Sequence, residues 1–189
     1  MMIDLLDSMT QFIVLSGSIE GIWNTWAGGN STLATAGTGG DGTYSYNNNN
    51  GPEKLFDNKT TTRYYSRGNT TSNTYAGLNT GFHVSIAQCQ PTLVQFRFAT
   101  ISQDTTNNNY DPTMVTIEGT NCADLMDCTS WTLLYNGTTG LDSITTRATY
   151  GDFQNITSPQ TFTGYRFLIT AKKGNSMYVA YSEVELFGY

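Results

Sequence analysis

Glu53-Lys54-Leu55-Phe56-Asp57-Asn58-Lys59-Thr60-Thr61-Thr62-Arg63 and Tyr181-Ser182-Glu183-Val184-Glu185-Leu186-Phe187 bracket most of this 189-residue chain. The first is a short apolar step followed by a polar loop. It carries one carboxylate, at Asp57, and three threonines. The second alternates strictly, so Val184 and Leu186 point one way and Glu183 and Glu185 the other.

Between them the same period of two recurs. Leu93 to Thr100 alternates, with Val94, Phe96 and Phe98 on one face and Gln95 and Arg97 on the other. Phe82 to Ile86, Met114 to Glu118, Trp131 to Tyr135 and Tyr165 to Thr170 read as further strands. Polar turn clusters separate them at 104–112, 136–140 and 172–176. Short alternating strands joined by polar loops predict an all-β sandwich or barrel. The predicted inward set is Val94, Phe96, Val115, Ile117, Phe167, Val184 and Leu186.

Composition agrees. Charged residues are 13% of the chain, aromatics another 13%, and twelve residues are Tyr. Gly, Thr, Ser and Asn supply turns and strands. The net charge is -6. Nine scattered basic residues make no stripe for a phosphate backbone, so nucleic acid is not an expected partner. No apolar run reaches membrane-spanning length.

The three cysteines are Cys89, Cys122 and Cys128. The latter two enclose a five-residue loop between strand-like runs, and a local disulfide is the expected pairing. Cys89 is left as a buried thiol or as a link to another chain. The sequons at Asn30, Asn58, Asn69, Asn136 and Asn155 suit a secreted glycoprotein. About four would arise by chance in a chain this rich in Asn, Ser and Thr, so composition is the better argument for an extracellular location.

Residues 1–41 read as a leader, with a possible strand at 11–16, two tryptophans (Trp23 and Trp26) and a glycine-rich linker over 36–42. The expected domain is 42–189.

The ordered pieces from Gly42 onward resemble the discoidin, or coagulation-factor C-type, domain. Leu55-Phe56-Asp57 with Thr62-Arg63 resembles its opening loop. Gly81 to Val84 and Leu93 to Phe98 resemble the strands that follow. Asp111 to Asn121 resembles the segment ending in Gly-Ser-Asn, and Trp131 to Leu134 the tryptophan strand. Gly164 to Phe167 and Ser182 to Leu186 resemble the last two strands. Tyr64 stands where the family usually has Trp, Asn58 where it has Gly, and the long terminal cystine is absent. This places the chain nearer the galactose-binding-like carbohydrate-binding modules.

The resemblance implies a jelly-roll sandwich and a structural calcium. Its expected ligands are Asp57, the Lys59 carbonyl, Thr62 and Glu183, an oxygen-rich set that suits a hard cation. It also implies ligand recognition by loops at one end, with Tyr64, Tyr65, Arg67 and Tyr110 as the leading candidates. Tyr75 and Tyr150 are further ones. A lone strand histidine, His83, leaves no triad, and no enzyme is expected. The expected partner is a glycan or glycoprotein surface. The alternative is a structural protein that forms homo-oligomers or filaments through its N-terminal segment.

Overall fold

The computed structural model describes residues 10–11, 18–37, 46–47, 49–68, 72–86, 91–102 and 108–189. Cys89, Asn69 and the stretch 12–15 lie outside them, as do 38–42 of the glycine-rich linker. The first sheet contains β1 (Thr10–Gln11), β7 (Leu93–Ala99), β10 (Gln154–Asn155) and β13 (Glu183–Gly188), in the order β1-β13-β7-β10. The second contains β2 (Ile19–Ile22), β6 (Thr80–Ser85), β8 (Pro112–Thr120), β9 (Thr132–Thr138) and β11 (Gly164–Lys172), in the order β2-β6-β11-β8-β9. Every pairing in these two sheets is antiparallel. A smaller sheet joins β12 (Val179–Tyr181), β5 (Tyr64–Ser66), β4 (Tyr46–Asn47) and β3 (Ala36–Gly37).

The two large sheets form a jelly-roll sandwich. Phe96, Phe98, Val184 and Leu186 come from one, and Phe82, Val115, Ile117, Phe167 and Ile169 from the other. Phe82 stacks on Phe167 with centroids 4.8 Å apart, and Phe96 meets Phe167 edge-on. Six of the seven predicted inward residues are buried. Val94 is the exception. It is half-buried, and Leu93 is fully buried instead. The ladder slips there: Phe187 faces Gln95 and Gly188 faces Leu93, so Val94 is skipped. A bulge of this kind re-aims side chains at a strand end.

The domain boundary expected at residue 42 is corrected by the pairing. β1 lies on β13 and β2 on β6, so Thr10–Gln11 adds a strand to the first large sheet and Ile19–Ile22 one to the second. Propensity alone gave little reason to join Ile19–Ile22 to the sandwich, because its partner lies some sixty residues on.

On the outer face of the five-stranded sheet, the register aligns Glu20, His83, Arg166 and Glu118 in one row across four strands. Alternation sends these residues away from the core, yet His83, Arg166 and Glu118 are buried. Two loops cover them, 23–34 and 121–131. The second is closed by the Cys122–Cys128 disulfide. Met126 within it sits 2.9 Å from His83 Nε2, and Trp131 lies over the Arg166 guanidinium at 4.1 Å. Cys122→Ser should therefore cost roughly 2–3 kcal/mol in urea unfolding, the chain-entropy expectation for so short a loop. An unchanged midpoint would show that the bond constrains nothing.

Candidate functional site

The loop quoted at the outset is anchored before it is functional. Pro52–Phe56 forms a 3-10 turn whose Leu55 is fully buried and whose Phe56 packs edge-on against Phe82. Asn58 then adopts a left-handed backbone, φ 58°, a conformation that Asn tolerates where most residues do not. That turn lets the Lys59 amide reach Glu183 Oε1 at 2.8 Å, across to the start of β13. The Thr62 hydroxyl lies 2.8 Å from both Asp57 Oδ1 and the Lys59 carbonyl. The four residues expected to hold calcium thus converge.

Their chemistry fits a hard cation. Glu183 is 2% exposed, so it is not a surface strand residue. Burial first, and then its hydrogen bond to Asp57 and the nearby acids, push its pKa up to about 8, while the Lys59 amide pulls it down. A buried carboxyl crowded against a half-buried one is what a divalent ion relieves. Among the described residues no three Asp, Glu, His or Cys side chains meet. The remaining ligands at this corner would be neutral oxygens, which calcium accepts.

The expected ligand-contact residues divide. Tyr64 is in the core, fully buried, its hydroxyl donating to the Gly81 carbonyl at 2.9 Å and its ring edge-on to Tyr181. It has no surface to offer, because alternation along β5 turns Tyr64 and Ser66 inward and Tyr65 outward. Tyr65 and Tyr110 do come together, with centroids 6.0 Å apart, and Tyr178 joins them at 5.4 Å. Tyr150 is taken up under Arg97, which also stacks on Phe153 and pairs with Glu185.

Arg67 enters a different place, a cleft of about 310 Å³ lined by Trp23, Trp26, Tyr75, Asn24 and Asn79 among others. Trp26 is 56% exposed and Tyr75 is 65% exposed. Large aromatics left in water beside an arginine and two amides need an explanation that core packing does not supply.

The walls of this cleft are fixed by the backbone. Trp23 Nε1 donates to the Leu33 carbonyl, Thr25 N to Asn79 O, and Gly29 N to Trp26 O. On the other side Gly77 N bonds the Arg67 carbonyl at 2.8 Å. Gly77 has φ 82°, and a Cβ there would lie 2.5 Å from the Val179 nitrogen, so only glycine fits. Lys172 Nζ donates to the carbonyls of Asn73, Ala76 and Ser176, which pins the Tyr75 turn. Burial lowers the pKa of that amine to about 8.

The sequence offers Trp23 and Trp26 only as alternative contacts, outside the matched region 42–189. The signal available was their type: two tryptophans in a polar Asn- and Gly-rich stretch.

No protein-family model and no curated protein sequence matches the chain. In structure it is similar to the family 32 carbohydrate-binding module of a Clostridium perfringens protein, solved with galactose. That match has TM-score 0.59 and 12% identity, over 95% of this chain and 98% of the other. It is similar also to a module of a Clostridium perfringens family 31 glycoside hydrolase, at TM-score 0.59 and 16% identity, over 95% of each chain. A third is chitosan-binding module 1 of a Paenibacillus chitosanase/glucanase, at TM-score 0.54 and 17% identity, over 93% of this chain and 98% of that one. The fold built by these residues is therefore the discoidin-type, galactose-binding-like sandwich of carbohydrate-binding modules.

Proposed function

We propose that this protein is a non-catalytic carbohydrate-binding module, working outside the cell on a glycan or glycoprotein surface. The observation that carries the reading is the cleft of Trp23, Trp26, Arg67, Tyr75, Asn24 and Asn79. A sugar presents a C–H face to an aromatic ring and hydroxyls to amide and guanidinium groups, and this cleft holds both kinds of partner. Three structurally similar modules were solved with galactose, with GalNAc-β-1,3-galactose and with an unsaturated mannuronic acid. Tyr65, Tyr110 and Tyr178 form an aromatic cluster of their own.

Calorimetry with galactose, N-acetylgalactosamine and glucosamine oligomers tests it. Binding should be modest, because an open cleft buries little area. Trp26→Ala should weaken it roughly tenfold or more, about 1.4 kcal/mol or above, with the melting temperature unchanged. Retained affinity in Trp26→Ala would move the site elsewhere.

The second part of the proposal is a calcium ion joining the first loop to the last strand through Asp57, Glu183, Thr62 and the Lys59 carbonyl. Its role is structural. An ion bound to the folded state alone raises the melting temperature with the logarithm of free calcium. Asp57→Ala should abolish that rise. Identical melting curves in calcium and in chelator would leave Asp57 and Glu183 as a hydrogen-bonded acid pair.

A further inference from the structure

The Cys122–Cys128 bond closes a flap, residues 123–127, over the outer row of the five-stranded sheet. The flap is bonded to itself more than to the sheet. Asp124 Oδ1 accepts from the amides of Met126 and Asp127, and Thr120 Oγ1 accepts from the Cys122 amide. Among the described residues no backbone hydrogen bond joins 123–127 to a strand. Two side chains hold the flap down. Leu125 is buried against Gly164 of β11, where a Cβ would come within 2.4 Å of it, and Met126 lies on His83. The third hold is the cystine.

Beneath the flap runs a tie to the aromatic cleft. Trp131 Nε1 donates to the Cys128 carbonyl at 3.1 Å, and its ring covers the Arg166 guanidinium. Arg166 donates to the Gly29 carbonyl and to Ser31 Oγ. Glu118, its ion-pair partner, accepts from the Gly28 amide. Gly29 N donates to the Trp26 carbonyl, so this stretch carries Trp26, a wall of the cleft. The tie is strong because it is dry. Charge-assisted bonds in a buried site gain from the low local dielectric, whereas an ion pair open to water contributes little.

The two sulfurs are unlike. Cys122 is half-buried, whereas Cys128 is 2% exposed. Cys128 Sγ stands 3.1 Å from Thr120 Oγ1 and 3.3 Å from the Ser130 carbonyl. While the disulfide stands, that sulfur has no hydrogen to give the carbonyl. Once reduced, its thiol has an acceptor in place. Reduction therefore leaves Cys128 seated and frees Cys122 with the flap.

We propose that Cys122–Cys128 is a redox latch on the aromatic cleft: reduction by a dithiol lifts the flap, wets the Arg166–Glu118 tie and lowers sugar affinity. The inference rests on the glycan reading for its binding readout, while the latch itself stands on the flap and the tie. A thiolate of the dithiol attacks Cys122 Sγ, the more accessible sulfur. The S–S bond breaks, a mixed disulfide forms on Cys122, and Cys128 leaves as a thiolate that takes up a proton. The second thiolate of the reductant then displaces Cys122, which is protonated in turn. Two electrons and two protons pass to the protein, and the dithiol ends as its cyclic disulfide.

The full chain would be compared oxidised and after dithiothreitol, well below its melting temperature. The readouts are calorimetry with galactose and N-acetylgalactosamine and amide hydrogen exchange, with peptide masses fixing the state of the bond. Reduction should weaken sugar binding about tenfold or more. The Gly28 amide should exchange at least tenfold faster, while Ile117 and Phe167, paired in the sheet ladder, stay unchanged. Cys122→Ser should reproduce the reduced state with no reductant. Dithiothreitol should change nothing further in that variant, which excludes an effect at Cys89. In Arg166→Met/Glu118→Leu, where the tie is gone, reduction should leave the remaining affinity unaltered.

Gly28 protection and sugar affinity that both survive full reduction overturn the latch and leave the glycan reading standing. Faster exchange at Gly28 with undiminished affinity overturns the control of the cleft. Exchange that rises throughout the ladder makes the cystine a plain staple of the fold and overturns the latch as well. Faster exchange confined to Gly28 and its loop, with no sugar bound in either state, keeps the latch on the loop and overturns the glycan reading.

Discussion

Replacing Arg166 with methionine should destabilise the protein by about 3–5 kcal/mol, the loss expected when one partner of a buried ion pair is removed. Arg166 is fully buried. Its Nε and Nη2 donate to Glu118 Oε2 at 2.9 and 2.6 Å, and Nη1 donates to the Gly29 carbonyl and to Ser31 Oγ. Burial lowers its pKa, and Glu118 partly restores it. Without the guanidinium, Glu118 is left with the Gly28 amide, which donates to its Oε1 at 2.6 Å. Glu118→Gln alone should cost a similar amount, since a buried arginine then loses its counter-ion. Urea unfolding of both single variants and of Arg166→Met/Glu118→Leu completes the cycle. The double variant should recover most of the loss, because an apolar pair in place of a buried ion pair is often neutral. Additive losses would show that the two residues act independently.

The cycle has a second readout. Gly28, Gly29 and Ser31 belong to the loop that carries Trp23 and Trp26, so the ion pair fastens one wall of the aromatic cleft to the sheet. Glycan affinity should therefore stay low in the double variant even as stability returns. Stability and binding part company there because packing can be replaced by volume, whereas the loop bonds need the donors and the acceptor.

The strands were legible because a strand buried on one face writes its burial as alternation. Phe96 and Phe98, Val115 and Ile117, Val184 and Leu186 all declared themselves in this way. The motif loop was legible for a different reason. Asp57, Asn58, Thr62 and Glu183 are tied to one particular backbone turn, and a turn restricts residue type. The aromatic cleft escaped, since its walls come from 23–34, 67–68 and 75–79 and the contact among them is purely tertiary. Tyr64 was misread through phase. It begins a three-residue strand, too short for period two to say which face looks inward. The row of Glu20, His83, Arg166 and Glu118 was hidden for the opposite reason. Alternation sends such polar residues outward, but loops folded over them, and nothing local in a strand records what covers it.

That covering makes His83 the acid-sensitive point of the fold. The imidazole is fully buried beneath Met126, and its pKa is lowered to about 4, first by burial and then by Arg166. Asp124 opposes the shift, and Glu20 stands 3.8 Å away, but neither restores the ordinary value. The unfolded chain takes up the proton near pH 6.5, whereas the folded protein resists it until about pH 4. Protons thus favour the unfolded state in that window. The contribution of neutral His83 is fully present above pH 6.5 and is lost as pH falls toward 4, by on the order of 3 kcal/mol. Glu183, whose pKa is raised, works the other way across part of the same range, so wild-type stability alone does not isolate the histidine. The difference between wild type and His83→Gln does. In urea unfolding at pH 7, 5.5 and 4, that difference should shrink steadily in favour of the variant, because glutamine takes no proton. Parallel curves for the two proteins across this range would mean that His83 is protonated as easily folded as unfolded, and that the cystine loop shields it from nothing.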